Sequence, residues 1–330
     1  TTTLDVNGYL KIYSGATLNI SSGDNLKLAG DFEIYQTFTT TNETITLDGD
    51  GDQTLFHPTN SNTTGHSNSS VNGVIDKSAG TVTLGQDLSI NDFTITSGTF
   101  TFSTSSALTL TTSGSADLNA GTLAFGSNST FDANGNFDAT GSSLDMTSGG
   151  TLKMSGSTTN LGSSFTNGSG NITYDGTSQT IFNIAYQNLT IDGGNTITAG
   201  NNLDVNGNLE ITNSSTLDMS ASNYTLDLEG NFTISSGTFN SRTGAHDIAG
   251  NWNDNGGTFQ PSAGTITLSG SSKTITTGGS NYFSGLTTSG TITASSDLDI
   301  NGNFTISGGT FSPGSYSHEV AGDWNDASGT

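Results

Sequence analysis

The chain has 330 residues, of which 30% are hydrophobic and 11% are charged, with 45 glycines, three prolines and no cysteine. A formal net charge of −23, with only six lysines and arginines, excludes nucleic acid and anionic membrane surfaces as partners, and no apolar run approaches the roughly 20 residues of a membrane-spanning helix. The absence of cysteine excludes disulfides and thiolate metal sites.

The first predicted elements are pairs of very short strands. The segments LDVNGYLKI from Leu4 and LKLAGDFEI from Leu26 begin 22 residues apart, and both alternate apolar and polar residues. A period of two is that of a β-strand. A repeat of about 22 residues is the length of one turn of a β-solenoid, so stacked coils are expected.

The next motif, ITLDGDGDQTL from Ile45, contains the run Asp48-Gly-Asp50-Gly-Asp52. Alternating carboxylates on a tight glycine turn suit calcium, which takes hard oxygen ligands. The aligned segments ITYDGTSQTI from Ile172 and ITLSGSSKTI from Ile266 lack two or more of these carboxylates. The comparison favours a solvated corner and leaves Asp48, Asp50 and Asp52 as a weak calcium candidate.

Residues 56–80 are longer and more polar than the segment that follows the equivalent corner at Ile172. This composition predicts a polar excursion from the coil. His57 and His66 lie in the stretch and are candidates for a surface contact or a metal site, although histidines of a polar loop need have neither role.

From residue 108 to residue 171 the sequence is rich in serine, glycine and threonine, but apolar residues still alternate. We interpret this region as looser coils of the same solenoid. Ten residues are predicted to point inward: Leu108, Leu110, Leu123, Phe125, Phe131, Phe137, Leu144, Met146, Leu152 and Met154.

The clearest repeat lies in the last third of the chain. LDLEGNFTISSGTF from Leu226 and LDINGNFTISGGTF from Leu298 match at an offset of 72 residues, and the match continues to pair His246 with His318 and Trp252 with Trp324. Residues that recur with a repeat more often serve packing than chemistry. Buried tryptophans would fill a wide coil, whereas exposed ones would offer a platform for sugars or another surface.

One glycine column marks the corner between paired strands: Gly8, Gly30, Gly207, Gly230 and Gly302. We expect positive φ angles there, since glycine adopts them without strain. Asn7, Asn206 and Asn301 precede three of these glycines and are expected to form an amide ladder between coils.

These elements predict an all-β fold, a right-handed parallel β-helix of about 15 coils of roughly 22 residues. We expect one continuous β-solenoid over 1–330, with sub-modules near 1–44, 45–171, 172–265 and 266–330. Thr1 is not an initiator methionine and Thr330 falls within a repeat. The chain is therefore expected to be a segment of a longer one, or a subunit that stacks end to end.

Repeats such as GNFTISGGTF, AGNWNDNGGTFQPSAGTITLSGSSKTI and YDGTSQTIFNIAYQNLTIDG resemble those of large secreted bacterial surface proteins with β-strand repeats, which are adhesin-like parallel β-helices. The resemblance covers nearly the whole chain and is weakest over 107–171. It implies an extracellular or cell-surface location, and a role in adhesion or in structural fibres. It carries over no catalytic residues.

The function expected from the sequence is structural and non-enzymatic: a fibre, stalk or surface filament whose partners are copies of itself or the rest of a longer chain. The main alternative is an adhesin that binds glycans or other surfaces through its loops or tryptophans. A polysaccharide lyase or hydrolase is a remote alternative, because one arginine and five scattered lysines leave little for a cationic site against an acidic polymer. An ice-binding protein is equally remote, because it would need a flat, regular threonine lattice on one face. No cofactor is expected, apart from the calcium left open above.

Overall fold

A computed structural model describes residues 2–16, 18–35, 43–56, 66–68, 70–279 and 281–327. Within these ranges every regular element is a β-strand, and the stacked parallel strands form a β-solenoid of about 15 turns. The chain divides into two compact units, Thr1–Asn171 and Ile172–Thr330. The predicted all-β solenoid is confirmed.

Unit 1 contains nineteen described strands: β1 (Thr3–Val6), β2 (Leu10–Ile12), β3 (Asn25–Leu28), β4 (Phe32–Ile34), β5 (Thr44–Leu47), β6 (Gln53–Leu55), β7 (His66–Asn68), β8 (Asn72–Leu84), β9 (Leu88–Ile90), β10 (Phe93–Phe102), β11 (Thr109–Thr112), β12 (Ala116–Leu118), β13 (Thr122–Ala124), β14 (Thr130–Ala133), β15 (Phe137–Asp138), β16 (Ser143–Asp145), β17 (Thr151–Met154), β18 (Thr158–Asn160) and β19 (Ser164–Thr166). One ladder of this unit runs β1-β3-β5-β8-β10-β12-β15-β18.

Unit 2 contains the remaining described strands: β20 (Asn171–Tyr174), β21 (Thr180–Ile181), β22 (Ala185–Tyr186), β23 (Asn188–Ile191), β24 (Thr196–Ala199), β25 (Leu203–Val205), β26 (Leu209–Ile211), β27 (Thr216–Asp218), β28 (Leu226–Leu228), β29 (Phe232–Ile234), β30 (Thr238–Arg242), β31 (His246–Ile248), β32 (Trp252–Asp254), β33 (Thr258–Pro261), β34 (Ile266–Leu268), β35 (Lys273–Thr276), β36 (Leu286–Thr288), β37 (Thr291–Ala294), β38 (Leu298–Ile300), β39 (Phe304–Ile306), β40 (Thr310–Ser312), β41 (His318–Val320) and β42 (Trp324–Asp326). Two of its ladders run β21-β24-β27-β30-β33 and β22-β25-β28-β31-β34-β36-β39-β42.

The strands pair in register with the coil above and below. Leu4 lies opposite Leu26 in unit 1, and Leu203 lies opposite Leu226 in unit 2. The backbone N–H and C=O groups of each short strand form hydrogen bonds with the neighbouring coils, so no hairpin partner is needed. This arrangement explains how a chain that is only 30% hydrophobic forms a folded core.

The core consists of the inward positions of each strand. All ten inward residues predicted between 108 and 154 are buried, so the serine-rich region belongs to the solenoid as expected. Threonines such as Thr291 and Thr293 lie on the outside, where β-branched polar residues favour extended backbone and contact water.

The prediction that residues 56–80 leave the coil is wrong for the second half of this segment. His66–Asn68 and Asn72–Leu84 are strands that pair with neighbouring coils, and Val71 and Ile75 are buried. The alternation was hidden because one inward position of β8 is a lysine, Lys77. Residues 57–65, including His57, lie outside the described residues.

Four of the five corner glycines, all but Gly8, are required for a different reason from the one predicted. Gly8, Gly30, Gly207, Gly230 and Gly302 are not among the residues with positive φ. Instead, a Cβ at Gly230 would lie 2.0 Å from the carbonyl oxygen of Gly207 in the preceding coil. The column needs glycine because successive corners touch backbone to backbone.

The side-chain ladder lies two residues further along the chain than predicted. Asn208 Oδ1 accepts a hydrogen bond from the backbone N–H of Asn231, and Asn231 Oδ1 accepts one from Asn251, both at 3.0 Å. These residues follow the corner glycine, whereas Asn7, Asn206 and Asn301 precede it. Each coil therefore caps the next through a side-chain oxygen.

The right hand of the coils and the continuity of one solenoid over 1–330 stay predictions. The division between the two units falls where the ITYDGTSQTI motif begins.

Candidate functional site

The acidic corner at 48–52 encloses an internal ammonium group. Lys77 is only 1% exposed, and its Nζ donates hydrogen bonds to the backbone oxygens of Gly49 (2.5 Å) and Gly51 (2.8 Å) and to Gln53 Oε1 (2.6 Å). Three oxygen acceptors around one nitrogen suit a protonated amine, which has three N–H donors. Sequence reasoning missed this cage, although Lys77 shares the two-residue spacing of Val71 and Ile75.

Two opposing effects act on the pKa of Lys77. Burial lowers the pKa of Lys77, while the nearby carboxylates of Asp52, Asp50 and Asp48 oppose that shift. A buried ammonium ion is tolerated only where its donors are satisfied and opposite charge is near. The acidic run thus accompanies a cation that belongs to the chain itself.

The three carboxylates of the calcium candidate have separate partners: the Lys27 Nζ at 3.4 Å for Asp48, the Ser78 hydroxyl for Asp50, and the backbone N–H of Thr81 at 2.9 Å for Asp52. In the part of the chain that the structure describes, no group of three or more histidine, cysteine, aspartate or glutamate side chains could hold a metal ion. The predicted ligand set is therefore not assembled, and calcium binding stays a prediction.

The two tryptophans of the repeat differ in exposure. Trp252 is 0% exposed and contacts Phe232 in the preceding coil and Phe283 in a later one, with ring centroids 4.7 and 5.2 Å apart. Trp324 is 53% exposed and packs on Phe304 at 4.7 Å. Trp252 cannot be the surface contact suggested by the sequence, because stacked coils cover it on both sides. The ring of Trp324 is accessible for such a contact.

The paired histidines hold the backbone at equivalent corners. His246 Nδ1 accepts a hydrogen bond from the Leu226 N–H at 3.1 Å, and its Nε2 lies 2.9 Å from the Ser241 carbonyl oxygen. His318 makes the same two contacts with the Leu298 N–H and the Pro313 oxygen. Burial lowers the pKa of His246. The shared geometry supports packing rather than chemistry.

His66 is buried and stacks on Phe56, with ring centroids 4.0 Å apart. Burial lowers its pKa, so the neutral ring is favoured. It lines a small apolar cavity of about 40 Å³ beside Val71 and Phe93. A buried ring against phenylalanine does not offer the exposed contact that the sequence suggested for His66.

The exposed large apolar side chains cluster at two places. Among the described residues they are Leu4, Tyr9 and Tyr13 in the first coil, and Tyr316 and Trp324 in the last described coil. Tyr13 also stacks on Tyr35, with centroids 5.7 Å apart and planes 8° apart, beneath the Lys11 ammonium. Sequence reasoning missed these tyrosines because a lone aromatic residue beside a corner carries no periodic signal.

Most basic side chains are committed to contacts within the fold. The pairs are Lys11 with Glu33 (2.8 Å), Lys27 with Asp48 (3.4 Å) and Arg242 with Asp218 (2.5 Å), in addition to the Lys77 cage. The pKa of Asp218 is lowered, chiefly by its hydrogen bond from Arg242. Each of these four cations therefore has its own acceptors within the fold.

The structure contains no helix, in its described residues, that is long and apolar enough to cross a membrane. No protein-family model, curated protein or solved structure matches the chain. The fold itself therefore defines its class: a β-helix repeat protein with parallel stacked coils.

Proposed function

We propose that the chain is a structural, non-enzymatic protein outside the cell, which serves as a fibre, a stalk or a surface filament. It does so by stacking end to end or as part of a longer repeat protein. The acidic, hydroxyl-rich exterior would keep such a fibre hydrated and separated from its neighbours by charge repulsion.

One observation carries this proposal. Each coil pairs in parallel register with the next, as Leu203 does with Leu226 and Phe232 with Trp252. Strands so short are satisfied only by the coils on either side, so each coil contacts chiefly its neighbours. Repeated coils of this kind add length in one direction, which suits a fibre or a stalk.

The use of polar and reactive side chains inside the fold supports a non-catalytic role. The hydroxyls of Tyr174 and Tyr186 lie 2.9 Å apart, and the Tyr186 hydroxyl donates to the Phe182 carbonyl at 2.7 Å. The buried histidine His246 and the buried lysine Lys77 are likewise bonded to backbone oxygens. Groups held in this way have no free substrate-facing atom.

Electron microscopy of the native material tests the proposal. We expect thin filaments or stalks on the cell exterior that are labelled along their length by an antibody to this chain. Short, monodisperse particles from the full native protein, or label confined to the cell interior, would contradict it.

An adhesin is the second candidate, favoured by the exposed ring of Trp324. Attachment to glycan-coated surfaces would be compared for the wild type, Trp324→Ala and a deletion of residues 60–65, which avoids β7 and β8. Trp252→Phe serves as the control, since Trp252 is buried. If attachment survives both changes, neither proposed contact is used.

Ice binding gains little support from the threonine pattern. Thr196, Thr216, Thr238 and Thr258 stack in register, but the adjacent column reads Thr198, Asp218, Asn240 and Gln260. Only one of these four coils has threonine at both positions, so the paired threonines do not form a regular lattice.

A further inference from the structure

A buried glutamine closes the same corner in both units. Gln53 of unit 1 and Gln179 of unit 2 end the acidic or polar run of the aligned motifs ITLDGDGDQTL and ITYDGTSQTI. In each case Oε1 accepts the backbone N–H of the corner glycine, Gly49 at 3.2 Å and Gly176 at 2.8 Å. Closing the corner is therefore the structural role that the two glutamines share.

Unit 1 adds a lysine to this corner. Lys77 Nζ lies 2.6 Å from Gln53 Oε1, and the two side chains are 1% and 2% exposed. A C=O bond is about 1.2 Å long, so the carbonyl carbon Cδ of Gln53 lies at most about 3.8 Å from Nζ. Atoms that are ready to react lie about 3–3.5 Å apart. A small movement therefore brings the amine to its attack distance from the carboxamide.

The carboxamide of Gln53 is held at both ends. Its Nε2 donates to the backbone oxygens of Leu28 at 2.9 Å and Gly30 at 2.7 Å, which turns Oε1 toward the lysine. The N–H of Gly49 points at Oε1. A donor in this place stabilises the negative charge that develops on the oxygen when a nucleophile attacks the carbonyl carbon. The corner thus both orients and polarises the carboxamide.

The amine of Lys77 is also placed for attack. Burial lowers its pKa, which increases the fraction of the neutral, nucleophilic form. The backbone oxygens of Gly49 (2.5 Å) and Gly51 (2.8 Å) hold Nζ beside the carboxamide. Gly51 and Asp52 are exposed. The corner therefore has an outlet to solvent for a proton and for a small leaving group.

We propose that Lys77 and Gln53 form a self-modification site, at which the folded chain joins two of its coils by an amide bond between Lys77 Nζ and Gln53 Cδ. The bond links β8 to β6, which are neighbouring strands in parallel register. The cross-link does not depend on the proposed function, although a covalent link between coils suits a fibre or a stalk that bears load.

The reaction needs no oxidant and no other reagent. The ammonium of Lys77 loses one proton, and the neutral amine attacks Cδ of Gln53, so that the Nζ–Cδ bond forms while the electron pair of the C=O bond moves to Oε1. The carbonyl then re-forms and the Cδ–Nε2 bond breaks. Nε2 takes a second proton from Nζ and leaves as ammonia, which binds the first proton to give one ammonium ion. In the product Nζ keeps one hydrogen, which can still donate to the oxygen of Gly49 or Gly51.

Peptide mapping of the folded wild-type protein, after incubation at mildly alkaline pH, tests the bond. Lys27, Lys77 and Lys153 are consecutive basic residues, so trypsin cuts the unmodified chain into peptides 28–77 and 78–153. An amide at Nζ blocks cleavage after Lys77. The expected result is one peptide, 28–153, whose mass is lower by one ammonia.

A second protease distinguishes the cross-link from other losses of ammonia. Asparagine followed by glycine can also lose ammonia, by forming a ring with its own backbone, but that reaction joins no distant residues. Chymotrypsin cuts after Phe56, which lies between Gln53 and Lys77 in the chain. After this cut, the fragments that carry the two side chains should stay joined.

Matched variants assign the bond to this pair. Gln53→Glu has no ammonia to lose and an ionised carboxylate resists attack by an amine, so the joined peptide should be absent. Gln179→Glu makes the same change at the equivalent corner of unit 2 and should leave the joined peptide at its wild-type level. Lys77→Met removes the amine and should abolish the peptide. Wild-type protein kept unfolded at the same pH should remain unjoined, because the contact exists only in the fold.

Recovery of peptides 28–77 and 78–153 at their unmodified masses, from folded wild-type protein after the incubation, would overturn the proposal. Lys77 would then be a hydrogen-bond donor only. A joined peptide that persists in Gln53→Glu would also overturn it, since another carbonyl group would be the partner of the lysine.

Discussion

Lys77 Nζ lies 2.6 Å from Gln53 Oε1, although 24 residues separate them in the chain. Gln53 in turn donates through Nε2 to the backbone oxygens of Leu28 (2.9 Å) and Gly30 (2.7 Å). Lysine and glutamine thus form a polar chain through three successive corners of unit 1, where an all-apolar core would leave backbone oxygens unpaired.

Lys77→Met should cost unit 1 about 2–4 kcal/mol of unfolding free energy, since it leaves the oxygens of Gly49, Gly51 and Gln53 without their buried donor. Lys27→Met is the matched control, because the Lys27 pair with Asp48 is partly exposed and contributes under about 1 kcal/mol. Denaturant titration of the variants measures both losses. Equal losses would show that the cage is no more than a surface contact.

Calcium should leave the stability of the wild type unchanged, because the carboxylates of Asp48, Asp50 and Asp52 face separate partners and Lys77 takes the corner oxygens. The melting temperature would be compared with calcium and with a chelator, at equal ionic strength. A rise specific to calcium, lost in Asp50→Asn, would place a metal at this corner despite the geometry.

Gly230→Ala should destabilise unit 2 by about 1–3 kcal/mol, because its Cβ would lie 2.0 Å from the Gly207 oxygen and the coils must separate locally. Gly8→Ala is the control, since no described atom lies near its Cβ, and its effect should be within about 1 kcal/mol. A harmless Gly230→Ala would mean that the corners can move apart without cost.

The sequence predicts the fold well where apolar residues alternate and repeat. Leu226 and Phe232 could be assigned to inward columns because their copies recur at Leu298 and Phe304. The geometry of the corners was harder to predict from the sequence. Glycine is compatible both with positive φ and with close backbone approach, and only coordinates show that Gly230 meets Gly207.

The candidate site was predictable only in part. Asp48, Asp50 and Asp52 attracted a metal hypothesis because local spacing is visible in a sequence, whereas the ammonium of Lys77 comes from the next coil. Trp252 and Trp324 are identical in their motifs, and their exposure differs because of the coils around them. Contacts between coils depend on register, which no single segment encodes.

His246 should make the protein less stable in acid. Its Nδ1 accepts the Leu226 N–H, so the folded state favours the neutral ring, and burial holds its pKa below that of the unfolded chain. Its contribution is complete above about pH 6.5 and declines as the pH falls further, by at most about 1.4 kcal/mol per pH unit. Unfolding free energies of the wild type and His246→Leu at pH 7 and pH 5 measure the difference. His318→Leu, at the equivalent position that is only partly buried, is the control. A wild-type slope unchanged by His246→Leu would assign the acid sensitivity to another group.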